Sequence, residues 1–338
     1  MSASTDRTHM TRRTALGVLT SAGLTLAAEH AFPQSAHQSG DDALLKLLPK
    51  FTEKSRARLR SLIDDPKYSG QISTADAAAL AKFENTSLDQ LMVNLLPLAQ
   101  SYSRAPISNF FVGAVARGVS GSLYTGANIE IPGQCLGFAV HAEQAALSNA
   151  YMHAEESVTD LAIGGAPCGH CRQFIDEMSP DGEILILTPA KPPMKLSSIL
   201  PSAFGPAALG MTRGAFPMPE TKLAFLNNSS DPVATAALNA ASHSYAPYSK
   251  SPAGVAVRSA RGRIYRGSYI ESVAFNPSLS PLQIALAAMI AAGEPYSAIA
   301  AVTLVELEKA RISQVAVTRT VLGAVAPSVK LEVVMVQA

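Results

Sequence analysis

The sequence predicts an α/β protein made of two similar halves, each a mixed sheet with packed helices, behind a small helical lead domain. Three observations predict it. The chain repeats itself in one register, each repeat alternates strand-like with helix-like segments, and the stretch before the first repeat shows helical periodicity. At 338 residues there is room for two ordinary cores, and 48% hydrophobic with 16% charged residues is the composition of a packed globular chain.

Residues 1–40 read as an address or an arm rather than part of the fold. Thr11-Arg12-Arg13-Thr14 precedes an apolar run from Ala15 to Ala28, with no acid until Glu29. That run is too short to span a bilayer, and adjacent arginines before it resemble a twin-arginine export signal. On that reading the mature protein is periplasmic; a cytoplasmic location is the alternative. No other segment has the length and apolarity to cross a membrane.

Residues 41–100 form the expected helical lead. Apolar residues recur at helical spacing over 41–65, as in Leu44, Leu45, Leu47, Leu48 and Phe51, and again over 86–104. Between them, Ser73 and Thr74 can cap a short helix.

From residue 101 the sequence can be laid on itself. Ser101-Tyr-Ser-Arg-Ala-Pro-Ile-Ser108 echoes Ser242-His-Ser-Tyr-Ala-Pro-Tyr-Ser249, and the same shift pairs Gly113 with Gly254, Gly121 with Gly262 and Gly126 with Gly267. It also pairs Tyr124 with Tyr265 and Ile129-Glu130 with Ile270-Glu271. This register reads as an internal duplication, residues 101–191 forming one copy and 221–338 the other, with a Pro- and Gly-rich linker over 192–220. In the first copy, alternation predicts strands over 111–117 and 122–126, joined by a turn at 118–121. A helix over 141–153, a strand over 159–164, a helix from 169 and a strand over 183–187 follow. The second copy predicts helices near 281–292 and 312–322, with strands near 299–306 and 330–336.

The chemistry gathers in the first copy. His141-Ala142-Glu143 opens one helix and Pro167-Cys168-Gly169-His170-Cys171 opens the next. Helix N-termini present free N–H groups and favour negative charge, so thiolates are stabilised there. Two thiolates one turn apart and one imidazole make three ligands for zinc, leaving a fourth position for water, which is the pattern of a catalytic site. Glu143 then stands beside that water without ligating the metal. In the second copy Pro281-Leu282-Gln283 lies where His141-Ala142-Glu143 would fall after a one-residue slip, and no cysteine follows Cys171. That copy reads as structural.

Other readings of these residues exist. Cys168-Gly-His-Cys171 is also a thiol–disulfide oxidoreductase motif, but Pro167 stands where an aromatic is usual, the chain has no tryptophan, and His141 and Glu143 would have no task. A purely structural zinc site would want a fourth protein ligand, which His170 is badly placed to supply. A non-catalytic nucleoside binder would not need an intact His141, Glu143 and cysteine pair. Cys135, alone among apolar neighbours, reads as a small core residue. A net charge of +1 without a basic stripe argues against a polynucleotide partner and for a small ligand.

The H-x-E and P-C-x-x-C pair is the signature of zinc-dependent nucleobase deaminases. His141-Ala-Glu-Gln144, Ala166-Pro-Cys-Gly-His-Cys-Arg-Gln-Phe174, Ser108-Asn-Phe-Phe-Val-Gly-Ala114, Gly126-Ala-Asn-Ile-Glu130, Leu200-Pro-Ser-Ala-Phe-Gly-Pro206 and Ala274-Phe-Asn-Pro277 resemble the two-domain bacterial form of the cytidine deaminase family, from about residue 43 onward. The resemblance implies three-layer α/β/α units and one Zn2+ per chain held by His141, Cys168 and Cys171. It implies Glu143 as the proton carrier in deamination of cytidine and deoxycytidine to uridine and deoxyuridine, in pyrimidine salvage. It further implies Phe110 packed on the pyrimidine, Asn128 and Glu130 on the ribose hydroxyls, and the backbone at Ala142 and Ala166 on the base edge. From the residues themselves, Asn128 and Glu130 could equally shape a turn. Position 166, often a hydroxyl residue in the family, is Ala here, so only a backbone contact survives. Finally, it implies a homodimer in which the second copy, near Phe275, completes the partner subunit's site.

Overall fold

A computed structural model describes residues 51–179 and 183–338; the expectations for residues 1–50, the export signal included, lie outside the described residues. Three capped helices come first: α1 (Glu53–Ile63), α2 (Thr74–Glu84) and α3 (Leu88–Ser101). The hydroxyls of Thr52, Ser73 and Ser87 each accept a backbone N–H from the first turn, satisfying donors that would otherwise be unpaired. Between α1 and α2, the short strand β1 (Gln71–Ile72) pairs with a strand of the first sheet.

That sheet is built from β1, β2 (Gly113–Gly118), β3 (Leu123–Ala127), β4 (Val158–Ile163), β5 (Leu185–Leu187) and β6 (Met194–Lys195), in the order β1-β3-β2-β4-β5-β6. Only β4 and β5 run parallel, because helix α5 (Gly169–Met178) carries the chain between them; helix α4 (Ala142–Met152) joins β3 to β4. The second sheet holds β7 (Ala224–Phe225), β8 (Ala253–Ser259), β9 (Ile264–Ser268), β10 (Ile299–Leu307) and β11 (Leu331–Gln337). Its order is β7-β11-β10-β8-β9, again with one parallel pair, β10 and β11. Helices α7 (Pro232–Ser242), α8 (Pro281–Ala291) and α9 (Val315–Val325) accompany it, and the short α6 (Leu196–Ile199) precedes it. Both sheets lie within one compact unit, and α4 packs on α8 to join them.

The element order supports the expected fold class, and glycine explains the layering. A side chain at Gly113 would strike the backbone of α3 at Gln100 and Leu96, and one at Gly126 would strike α4 at Ala142 and Ala146. Gly113 and Gly126 belong to neighbouring rungs of one ladder, so they face opposite sides of the sheet and put α3 and α4 on opposite faces. Gly254 against α7 and Gly267 against α8 repeat the arrangement. Each half is therefore a three-layer α/β/α unit, and α3, read from sequence as part of a separate lead, supplies one outer layer of the first.

Gly126→Ala should therefore destabilise the protein by about 1–3 kcal/mol, since neither backbone can yield cheaply. Gly323→Ala on the open side of α9, where an added methyl meets nothing within 4 Å, should stabilise it by about 0.5–1 kcal/mol. Urea midpoints measure both, and a neutral Gly126→Ala would refute the close-approach argument.

Several expectations need correction. The 192–220 stretch is not a bare linker: β6 pairs with β5, and α6 follows directly. Helix α9 starts three residues later than the pattern suggested, and α7 was not anticipated. The slip between the copies is two residues. Ile129 bridges Val140 and Ile270 bridges Leu279, so His141 corresponds to Ser280, Glu143 to Leu282, and Gln144 to Gln283. Cys135 is exposed rather than buried.

Candidate active site

The first turns of α4 and α5 meet at the rim of the first sheet. His141 is the N-cap residue of α4 and Cys168 that of α5, both in extended backbone geometry. Gln144 holds the α4 end, its Oε1 accepting the His141 N–H at 3.2 Å. Cys171, one turn into α5, is fully buried.

These three side chains converge. Cys168 Sγ lies 3.6 Å from Cys171 Sγ and 3.6 Å from His141 Nδ1, and Cys171 Sγ lies 3.2 Å from His141 Nδ1. A tetrahedral zinc ion with bonds of about 2.3 Å to sulfur and 2.0–2.1 Å to nitrogen needs donor separations of roughly 3.5–3.8 Å. Two of the three separations meet that range and the third, at 3.2 Å, is a few tenths of an ångström short of it, so the group suits that ion, and among the described residues it is the cluster of this kind that could hold a metal. Two thiols and one imidazole leave one position of a tetrahedron for a reactant.

The electrostatics follow from burial. Without a cation, burial pushes the Cys171 thiol far up, and Glu143 and Cys168 push it further. Burial, aided by His170, lowers the His141 pKa and so favours the neutral ring, the form that ligates a metal. Glu143, at the second position of α4, is 5% exposed. Burial raises its pKa, opposed by its own backbone N–H and by Cys171, which suits a group that must both take and give a proton.

A cavity of about 700 Å³ opens beside this cluster, within the range of small-molecule sites. Its walls include Phe110, Asn128, Glu130, His141, Ala142, Glu143 and Cys168, so every expected first-copy site residue except buried Cys171 faces one space. Phe110 is 70% exposed. Asn128 and Glu130 also do structural work. Asn128 Oδ1 accepts the Val112 N–H at 2.9 Å and its Nδ2 donates to Phe110 O at 2.8 Å. Glu130 Oε2 accepts the N–H groups of Ile107 and Ser108 at 2.7 and 3.0 Å. Burial alone would raise the Glu130 pKa, but the Ser108 hydroxyl and these N–H groups outweigh it and hold it low. Glu271 does the same for Tyr248 and Ser249 in the second half, so the turn-shaping role of this carboxylate does not depend on the cavity.

Phe275 does not face the cavity of its own chain; it stands 64% exposed on the second half. Three contacts there were not read from sequence. Gln144 Nε2 donates to Pro277 O at 3.0 Å, His170 Nε2 lies 3.3 Å from Asn276 O, and Glu177 Oε2 accepts the Val273 N–H at 2.6 Å. Gln144 could have been suspected, standing beside Glu143 in the motif. Nothing in the sequence marks Glu177.

Two stretches of the chain, residues 86–187 and 196–319, match two separate family models, each described as a cytidine and deoxycytidylate deaminase zinc-binding region. Among similar relatives, a cytidine deaminase of Vibrio vulnificus is 42% identical over 277 residues, spanning 82% of this chain and 93% of its own. One from Vibrio parahaemolyticus is 43% identical, spanning 81% and 92%. One from Shewanella pealeana is 39% identical over 296 residues, spanning 88% and 99%.

Proposed function

Since the chain belongs to the cytidine deaminase family, we propose that it hydrolyses cytidine and deoxycytidine to uridine and deoxyuridine with release of ammonia, in pyrimidine salvage. The observation that carries this reading is the convergence of His141, Cys168 and Cys171 beside Glu143 at the end of one cavity. His141, Cys168 and Cys171 hold the zinc. When bound, zinc supplies Lewis-acid activation of water. Glu143 takes a proton from the water that attacks C4 of the pyrimidine and delivers it to N3. It then takes the proton of the new C4 hydroxyl and passes it to the amino group, which leaves as ammonia as the C4 carbonyl forms, so that Glu143 serves as base and acid in turn. Phe110 gives the base an apolar wall, the Ala142 backbone reads its edge, and Asn128 and Glu130 receive the ribose hydroxyls while bracing the 107–112 loop. The second half, with Ser280 and Leu282 at the positions of His141 and Glu143, supports structure rather than chemistry. Its matching sheet order supports origin by internal duplication.

The assembly in this proposal is a homodimer in which Phe275 enters the partner subunit's pocket; its exposure away from its own cavity supports that role. Residues 1–40 direct twin-arginine export. No helix among the described residues is long and apolar enough to cross a membrane. The test is ultraviolet conversion of cytidine and deoxycytidine by purified protein, with zinc measured on the same sample. About one zinc per chain with turnover of both nucleosides is expected. Absence of both zinc and turnover, with Cys168 and Cys171 cycling between thiol and disulfide, would return the oxidoreductase reading.

A further inference from the structure

Glu177 is a fully buried carboxylate on α5, the helix that begins with Cys168 and Cys171, and the chemistry above gives it no task. Its hydrogen-bond donors all come from the other half of the chain. Oε1 accepts the hydroxyls of Tyr245 and Tyr248 at 2.7 and 2.6 Å, and Oε2 accepts the Val273 N–H at 2.6 Å. A polar group so buried is retained only where these donors hold it, and in return it fixes them.

What it fixes is the turn that carries Phe275. The turn is closed by Phe275 N–H to Ser272 O and Ser278 N–H to Phe275 O, both 2.9 Å. Phe275 sits at φ +62°, a left-handed conformation that a bulky side chain rarely adopts. In the corresponding loop of the first half, the residue with such a φ is Gly133, at +73°. A strained aromatic residue persists only when its surroundings over-determine it. Here the surroundings are the two helices of the metal cluster: Glu177 grips the entry to the turn, His170 meets Asn276 O, and Gln144 holds Pro277 O. The Tyr248 ring, 6.4 Å from that of Phe275, has its hydroxyl on the same carboxylate. Glu177 therefore touches both the backbone leading to Phe275 and the tyrosine beside its ring.

We propose that Glu177 is a positioning residue for deamination, setting the Phe275 ring that its chain lends to the partner subunit's pocket. The inference rests on the shared-pocket reading above. Its particular consequence is that loss of Glu177 is felt in the other subunit's site. An apolar wall meets substrate and transition state alike, so the change falls on KM rather than kcat.

Mixed dimers test this. One chain carries E143Q and is inactive, so each mixed dimer has a single live pocket. With Glu177→Leu on the inactive chain, KM for cytidine should rise about tenfold with kcat within about twofold. With Glu177→Leu on the live chain, both constants should stay within about twofold of the reference dimer. Glu177→Gln should restore KM, because its amide oxygen can accept the Val273 N–H while its NH2 donates to the tyrosine oxygens. If Glu177→Leu does not fold, Tyr248→Phe repeats the test, with an expected rise of about threefold on the same side of the dimer. A defect that follows the live chain, or no change in either arrangement, overturns the proposal. Phe275→Ala in the same format separates the two readings. If it acts across the dimer and Glu177→Leu does not, the positioning role alone fails. If light scattering finds no dimer, or Phe275→Ala has no effect across it, the shared pocket fails and this inference with it.

Discussion

Glu143→Gln is expected to retain about one zinc per chain and to lose cytidine turnover by on the order of a thousandfold. The substitution keeps the size of the side chain at the second position of α4 and leaves His141, Cys168 and Cys171 in place. What it removes is the ability to take a proton, since an amide is not basic in this range. Burial raises the Glu143 pKa above the ordinary carboxylate value, the direction that the proposed base-then-acid role calls for. Initial rates, with metal analysis of the same preparation, decide the matter. Near-normal turnover with zinc bound would mean that another group moves the proton.

The second large effect is expected at Cys171. Cys171→Ala leaves one thiol and one imidazole, too few donors for a tightly held tetrahedral ion, so zinc should fall below about 0.1 per chain and activity should fall with it. The fold should survive. Tyr124, Tyr151, Phe174 and the leucines of α3 form a core that owes nothing to the metal, so the far-ultraviolet spectrum should be unchanged. Wild-type protein stripped by a chelator should regain activity on addition of zinc, whereas Cys171→Ala should not. A variant that keeps full zinc would mean that the third ligand has been misassigned.

These two residues were legible because the reaction demands particular side chains at particular spacings, and helix starts announce themselves locally. α5 is legible in the same way, from a strong helical period, whereas α4, α8 and β3 are apolar on nearly every side and are marked by the turn and cap residues that bound them. Other parts were not. α7 reads Pro-Val-Ala-Thr-Ala-Ala-Leu, with few large apolar residues to display a period. β1, β6 and β7 are two residues each, too short for any alternation, and exist because a neighbouring strand offers unpaired groups. In the sequence the slip between the copies reads one residue short, because Gln283 resembles a replacement for Glu143. In the structure it stands at the place of Gln144 and donates to Phe138 O, as Gln144 donates to Pro277 O. Glu177 was invisible for a different reason: its donors lie 68 to 96 residues away, a distance over which no local pattern reports.

The four glycines that let helices rest directly on strands bear on redesign. Layer spacing at Gly113, Gly126, Gly254 and Gly267 is set by main chain against main chain, so side chains at the first turns of α4 and α8 can be exchanged without shifting the turns. The second half differs from a metal centre in its substituents and in one helix start: Gln314 enters α9 in helical backbone geometry, whereas Cys168 enters α5 in extended geometry. Ser280 and Leu282 occupy the imidazole and carboxylate positions, and Gln314, at the start of α9, with Val317 one turn later, occupies those of the thiols. An engineer wishing to install new chemistry there would have four side chains to exchange and the entry to α9 to rebuild.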